Sequence, residues 1–169
     1  FKHLGDKDSK AGLKLARFLR EKDPYLPIII ESSEIENREP AEALDTVFID
    51  KNSKKLPVDL GKAIMDNFGF GDFIIRDPST GHEIMRLSQL KDLQKHIFEI
   101  PDESLFFHAS HNDISRWLYS RAMFPIADIV REHRFRSLDE ADAVKKLFFE
   151  LIVKYRKMKN RGVVAVFKK

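Results

Sequence analysis

The sequence predicts an α/β fold, in which a parallel β-α-β unit is followed by a β-hairpin and an α-helical module. Residues 27–31 and 46–50 are short apolar runs that end in polar residues, as is typical of buried strands. A helix-like stretch, residues 37–44, lies between them and allows the two strands to run parallel. Turn-forming residues later in the chain, and an apolar stripe at helical spacing near its end, predict the hairpin and the helices.

The first predicted domain covers residues 1–68 and has the element order α-β-α-β-α. Its first helix is predicted over Ala11–Lys22, because leucines recur there at helical spacing until Asp23 and Pro24 end the pattern. The β-α-β unit follows. A last helix is predicted over residues 57–67, since this stretch begins with a proline and is followed by glycine.

The second predicted domain covers residues 69–169 and begins with the hairpin. Residues 73–75 and 84–87 are apolar runs, and the sequence between them, residues 77–81, has strong turn chemistry. Ser88 is predicted to cap a short helix that ends at Pro101. The residues expected on its apolar face are Leu90, Leu93, Ile97 and Phe98.

The remainder of this domain is predicted to be helical. Residues 102–133 are rich in aromatic residues, and Pro125 is expected to break or kink the helix there. Residues 137–140 match a capping box and open a long amphipathic helix that reaches Asn160. Gly162 is a plausible helix stop, and residues 163–167 are predicted to form a strand.

Composition narrows the classes of protein. Of the 169 residues, 43% are hydrophobic and 34% are charged, which is ordinary for a soluble globular protein. No apolar run approaches the length of a membrane span, no signal peptide opens the chain, and there is no cysteine, so we expect a cytoplasmic protein without membrane contact. The first residue is Phe1 and the last two are lysines, which suggests a piece of a longer polypeptide.

The net charge of +3 conceals a basic carboxyl-terminal region, beyond residue 133. A basic region is one signal of nucleic-acid binding. These charges fall on the outer face and last turns of the predicted long helix, where cations also interact favourably with the helix dipole. No helix-turn-helix, zinc finger or RNA-binding motif accompanies them, so we expect no nucleic-acid partner.

Polar residues follow both strands of the predicted parallel pair. Ser32 follows the first strand, and Lys51 follows the second. Because the carboxyl ends of parallel strands meet at one edge of a sheet, we expect the hydroxyl and the ammonium group to lie close together and to share an anion, most naturally a phosphoryl group. Phe48 is expected beneath the helix of residues 37–44, on the side opposite these two side chains.

No catalytic centre and no metal site are predicted. His108 and His111 are three residues apart, but no carboxylate accompanies them as in a helical zinc motif, so a structural or surface role is expected. Asp113 and Ser115, which with His111 contain the atoms of a hydrolase triad, are better explained as helix capping. Gly69-Phe70-Gly71 lacks the Lys-Ser/Thr pair of a phosphate loop.

Residues 11–68 resemble the second half of a two-component receiver domain, which has a flavodoxin-like fold. Ser32 matches the hydroxyl residue after the fourth receiver strand, Lys51 matches the lysine after the fifth, and Phe48 matches the switch aromatic. Asn52 stands where the family usually has a cis-proline. The acidic residues and the phospho-accepting aspartate of the family would lie before Phe1. Such a partial sheet exposes an apolar edge, which we expect another chain, a swapped element or the hairpin to cover.

A wider set of motifs resembles the amino-terminal region of phosphoenolpyruvate synthase-like proteins, which are related to pyruvate phosphate dikinase. The set comprises Glu31-Ser32-Ser33-Glu34, Lys51-Asn52-Ser53, Asn67-Phe68-Gly69-Phe70-Gly71, Pro101-Asp102-Glu103-Ser104, Ser115-Arg116-Trp117-Leu118 and Arg161-Gly162-Val163. The resemblance implies a parent that moves phosphoryl groups between ATP, an enzyme histidine and pyruvate. It implies ATP and Mg²⁺ as cofactors of the parent, and none in this chain.

Two functional hypotheses follow. The first is a non-catalytic regulatory or docking region of a phosphoenolpyruvate synthase-like phosphotransferase, whose partner is the downstream PEP/pyruvate-binding domain of the parent chain. The second is a fragment of a response-regulator receiver with a helical output module. In the second case a homodimer, or the missing receiver strands, would be the partner.

Overall fold

The computed structural model describes residues 8–133 and 135–160. The chain divides into two compact units, Phe1–Asn67 and Phe68–Lys169. The boundary between them lies one residue before the boundary predicted from sequence. We refer to them as the first and the second unit. Gly162 and the strand predicted over residues 163–167 lie outside the described residues.

The first unit contains a parallel pair of strands, as predicted. Ile29 pairs with Val47, and Ser32 pairs with Asp50, so the two strands end at the same edge. Its elements are α1 (Ala11–Lys22), β1 (Ile29–Ser32), a 3₁₀ turn (Ile35–Asn37), α2 (Arg38–Glu42), β2 (Val47–Asp50) and α3 (Leu56–Asn67).

The helix between the strands is shorter than predicted. Residues 37–44 were expected to form it, but the α-helical part covers only Arg38–Glu42. Asp45 has a φ of 54° and turns the chain toward β2. The Thr46 hydroxyl and the Thr46 backbone N–H both donate to the Ala41 carbonyl oxygen, at 2.8 and 3.3 Å, and this satisfies a carbonyl at the helix end.

The core of the first unit is small. Phe48 and Ile30, which are paired across the strands, pack with three residues of α1 and α2, namely Leu13, Ala16 and Ala41. Ile49 is buried too and, because side chains alternate along a strand, lies on the other face of the sheet. Both α2 and α3 contact β2.

The second unit begins with the predicted antiparallel hairpin. Phe73 pairs with Leu87, and the register shifts between Ile75 and Arg76. The hairpin forms a two-stranded sheet of its own. The elements of this unit are β3 (Phe73–Arg76), β4 (Glu83–Leu87), α4 (Leu90–His96), α5 (Asp102–Ser110), α6 (Asp113–Tyr119), α7 (Phe124–Glu132), a 3₁₀ turn (Leu138–Glu140) and α8 (Ala141–Asn160).

One continuous core joins the hairpin to the helices of the second unit. Trp117 of α6 and Phe148 of α8 are among its largest fully buried side chains. Pro125 lies in the first turn of α7, where its missing N–H costs nothing, so the predicted break falls between α6 and α7.

Two predicted helix caps differ from those in the structure. Gln89, and not Ser88, is the N-cap of α4, because the Asp92 carboxylate accepts the Gln89 N–H at 2.9 Å in a capping box. Helix α4 ends at His96, and Phe98 beyond it is 55% exposed and does not join the apolar face. Ser137 is the N-cap of the 3₁₀ turn, as the capping-box pattern predicts, but its side chain makes no cap bond. The Glu140 carboxylate accepts the Arg136 N–H and not the Ser137 N–H.

Candidate functional site

The carboxyl edge of the parallel pair brings the backbones of the two predicted anion-binding residues together. The Lys51 N–H donates to the Ser32 carbonyl oxygen at 2.9 Å. This bond continues the β1–β2 ladder one residue beyond β2. The two residues predicted from sequence therefore occupy neighbouring positions at one edge of the sheet.

The Ser32 hydroxyl is held in place by its surroundings. Its oxygen accepts the Glu34 N–H at 3.1 Å and the side-chain amide of Asn37 at 3.4 Å. Asn37 is buried, and its Nδ2 also donates to the Ser9 carbonyl oxygen at 3.0 Å. Because the hydroxyl oxygen acts as an acceptor in both contacts, its single proton is the group suited to an anion.

The charges at this edge are mixed. Lys51 is exposed, but Asp50 occupies the position paired with Ser32, and its Oδ1 accepts the Asn52 N–H at 2.8 Å. A carboxylate at the same edge of the sheet reduces the attraction for an anion.

Asn52 connects the loops that follow the two strands. Its side-chain amide lies 3.5 Å from the Ser33 carbonyl oxygen. The described residues contain no cis peptide bond, so the Lys51–Asn52 bond is trans. The loop thus takes a trans course where receiver domains usually have a cis-proline.

Phe48 is buried against α2. Its ring is 7% exposed and packs with Ala41, and the Arg38 guanidinium carbon lies 4.7 Å from the ring centroid. Alternation along the paired strands places Phe48 and Ser32 on the same face of the sheet. The expectation that the ring lies on the side opposite Ser32 is therefore wrong.

His108 has a structural environment in the second unit. It is 4% exposed, and its Nε2 accepts the Arg76 N–H at 3.0 Å. The other ring nitrogen, Nδ1, therefore carries the proton and donates to Asp113 Oδ2 at 2.8 Å. Both nitrogens are used, so neither is available to a metal ion.

The other residues of this segment are also engaged in local contacts. His111 Nδ1 lies 2.6 Å from the Phe107 carbonyl oxygen, and the Ser115 hydroxyl donates to the Asn112 carbonyl oxygen at 3.0 Å. The Asp113 carboxylate accepts hydrogen bonds from the side chains of His108 and Arg116. These bonds stabilise the α5–α6 turn and do not form a nucleophile–base pair.

The Gly69-Phe70-Gly71 loop is fixed by Arg121. Its guanidinium donates to the Gly69 and Gly71 carbonyl oxygens at 2.9 and 2.8 Å and lies 4.2 Å from the Trp117 ring centroid. Burial lowers the pKa of this guanidinium, and Asp72 opposes the shift. A phosphate loop binds its anion with backbone N–H groups, whereas this loop presents carbonyl oxygens to a cation.

Two further features are absent from the described residues. Across residues 8–133 and 135–160, no group of three or more histidine, aspartate or glutamate side chains is placed to hold a metal ion. No helix in that part of the chain is long and apolar enough to cross a bilayer.

Sequence reasoning missed the residues that support the site. Asn37 and Ser9 position the Ser32 hydroxyl, although Ser9 precedes Asn37 by 28 positions. One sequence signal pointed to this support. An asparagine stands just before α2, where its side chain can form a hydrogen bond with the backbone.

Comparisons with protein-family models, with curated proteins and with solved structures found no match for this chain.

Proposed function

We propose that the chain is a non-catalytic regulatory or docking region of a phosphoenolpyruvate synthase-like phosphotransferase. In this proposal the first unit is a receiver-like, flavodoxin-like half-domain, and the second unit leads to the PEP/pyruvate-binding domain of the parent. ATP and Mg²⁺ act in the parent and not in this chain.

The observation that carries the proposal is the Lys51-to-Ser32 backbone bond at the carboxyl edge of the parallel pair. It is supported by the Ser32 hydroxyl, whose oxygen is engaged as an acceptor and whose proton is suited to an anion. The wider motif set resembles that of phosphoenolpyruvate synthase-like proteins, and this resemblance favours phosphoryl chemistry at this edge.

The role proposed for this edge is to sense an anion. One ammonium group and one hydroxyl, beside the Asp50 carboxylate, offer little against the hydration of phosphate. We expect a dissociation constant of about 1 mM, which corresponds to roughly −4 kcal/mol. That affinity is suited to a metabolite present at high concentration and not to a tightly held cofactor.

The alternative is a response-regulator receiver fragment with a helical output module. It is favoured by Phe48, which lies three residues before Lys51 and is buried under α2 beside Arg38. In that case Phe48 would report phosphorylation of an aspartate that this chain does not contain.

The first experiment titrates inorganic phosphate into the chain and follows backbone amide shifts by NMR. Shifts should appear at Ser32, Glu34 and Lys51, and Lys51→Ala should weaken binding severalfold. Lys54→Ala is the matched control, because Lys54 is an exposed lysine in the same loop. Equal affinities for the wild-type chain and Lys51→Ala would refute the anion site.

The second experiment separates the two functions in the full-length parent. If the first holds, the parent phosphorylates pyruvate at the expense of ATP, and Lys51→Ala alters the phosphate dependence of that rate. If the parent instead has no such activity and acquires a stable aspartyl phosphate from acetyl phosphate, the receiver alternative is correct.

A further inference from the structure

A cleft of about 600 Å³ lies between the end of α7 and the first turns of α8. This volume falls within the range of about 300–1,000 Å³ that is typical of small-molecule sites. His133, Arg136 and Glu140, from the segment that joins the two helices, line its walls, and Val144 and Leu147 of α8 line its floor. We call it the α7–α8 cleft. It lies wholly within the second unit.

The floor of the α7–α8 cleft is apolar. Val144 is buried and Leu147 is half-buried, and because they are three positions apart they are neighbours on one side of α8. The half-buried ring of His133 stands at one wall and meets the buried Phe148 ring edge-on, with the centroids 6.2 Å apart. An apolar group that packs against these residues is removed from water, which favours its binding.

Two opposite charges line the cleft without forming an ion pair with each other. Arg136 is exposed, and within the part of the chain that the structure describes its guanidinium has no hydrogen-bond or ion-pair partner. The backbone N–H of Arg136 donates to Glu140 Oε2 at 3.0 Å, which holds the two residues beside each other. That bond uses one carboxylate oxygen of Glu140, and the other, Oε1, is able to accept from a ligand.

These groups favour a ligand that carries both charges. A guanidinium binds a carboxylate through two parallel hydrogen bonds, and a carboxylate oxygen accepts from an ammonium group. A ligand with a carboxylate alone would face Glu140, and one with an ammonium group alone would face Arg136, so each would meet a like charge. An α-amino acid presents both charges and a side chain on one carbon. Glu132 also borders the cleft, but it already has an interaction, so no ligand contact is assigned to it.

We propose that the α7–α8 cleft binds a free α-amino acid with an apolar side chain. Arg136 binds its carboxylate, and Glu140 Oε1 accepts a hydrogen bond from its ammonium group. Its side chain packs on Val144 and Leu147. This inference is independent of the anion site, because it rests on residues of the second unit alone.

The test titrates L-phenylalanine into the whole chain and follows backbone amide shifts by NMR. Saturable shifts should appear at Arg136, Val144 and Leu147, with a dissociation constant of about 1 mM or lower. Two analogues of nearly the same size provide the comparison, since 3-phenylpropanoate lacks the ammonium group and phenylalaninamide lacks the carboxylate. Each should bind at least tenfold more weakly than L-phenylalanine, and so should glycine, which lacks the apolar side chain.

Two variants assign the charges to their partners. Arg136→Gln should weaken L-phenylalanine at least tenfold without weakening phenylalaninamide, which has no carboxylate to bind the guanidinium. Glu140→Gln should weaken L-phenylalanine without weakening 3-phenylpropanoate, and its amide oxygen can still accept the Arg136 N–H, so the turn before α8 is retained. Lys146→Gln and Asp142→Asn are the matched controls, because both residues are exposed on α8 and neither lines the cleft. Both controls should bind L-phenylalanine as the wild-type chain does.

Three results would each overturn the proposal. The first is the absence of saturable shifts at about 10 mM L-phenylalanine, ten times the expected upper limit of the dissociation constant. The second is wild-type affinity for L-phenylalanine in Arg136→Gln or in Glu140→Gln. The third is an analogue that binds as tightly as L-phenylalanine, because the cleft would then recognise a carboxylate or an amine alone.

Discussion

The imidazole of His108 donates from Nδ1 to Asp113 Oδ2 at 2.8 Å, within the α5–α6 turn. Its Nε2 accepts the backbone N–H of Arg76 from the hairpin. A single buried ring thus joins β3 to two helices through two hydrogen bonds. It also contacts the Phe73 ring, with the centroids 5.2 Å apart.

Replacement of His108 by alanine should destabilise the protein by about 2–4 kcal/mol, because it creates a cavity and leaves the Arg76 N–H and the Asp113 carboxylate without this partner. Urea denaturation measures the change. His96→Ala is the matched control, since that ring pairs with Glu99 on the surface, and it should cost less than about 1 kcal/mol. Equal losses in the two variants would contradict the structural role of His108.

Gly69→Ala should be more destabilising than Gly81→Ala. The two glycines have nearly the same φ, 75° and 73°, so the conformational cost of about 1–2 kcal/mol is common to both. A Cβ at position 69 meets backbone atoms of Trp117 at 3.0 Å, and one at position 81 has open space. We expect the clash to add about 1–3 kcal/mol in thermal or chemical unfolding. Indistinguishable variants would show that the loop can move away from Trp117.

The pKa of Asp77 lies below 3.8, because the Ser79 side chain and the backbone N–H groups of Ser79 and Thr80 donate to its carboxylate. A lowered folded-state pKa means that this carboxylate stabilises the turn above the unfolded value. The stabilisation is lost as the pH falls through the folded pKa. The amide shifts of Ser79 and Thr80, followed by NMR, should therefore titrate with a midpoint below 3.8.

Ser79→Ala removes the largest cause of this shift and should move the midpoint back toward 3.8. A wild-type midpoint at or above 3.8 would show that the Asp77 turn does not persist in solution.

The chain alone should neither hydrolyse ATP nor phosphorylate pyruvate. A reaction site needs a positioned nucleophile, base or metal. The histidines and carboxylates of the α5–α6 turn are engaged in structural bonds. A coupled enzymatic assay on the purified chain measures this. Steady turnover that a single substitution in this chain abolishes would refute the prediction.

Local patterns predicted the elements well where one stretch of sequence carries all the information. The leucine spacing of α1 and its stop at Asp23 lie within a dozen residues, and the helix bounds, Ala11–Lys22, are those predicted. The hairpin was predicted for the same reason, since its turn chemistry lies between its two strands.

The details that were predicted incorrectly depend either on competition between neighbouring residues or on contacts between residues far apart in the sequence. Ser88 and Gln89 can each precede a helix, and the Asp92 carboxylate favours Gln89 because it lies closer to the Gln89 N–H, at 2.9 against 3.2 Å. The hydrogen bonds from Arg121 to Gly69 and Gly71 span about fifty residues, and no local sequence pattern predicts them. At the candidate site, the strand ends were predictable, but the support of Ser32 by Asn37 was not.

The small core of the first unit gives the two halves of the chain different susceptibilities to local opening. Amides of β1 and β2 should exchange with deuterium before those around Trp117, because Leu13, Ala16, Ile30, Ala41 and Phe48 form a far smaller cluster than the core of the second unit. A ligand that binds only the closed form shifts such an equilibrium by mass action, even when its affinity is weak. If phosphate binds at Ser32 and Lys51 as proposed, concentrations above its dissociation constant should stabilise the closed form of the first unit and protect it from proteases.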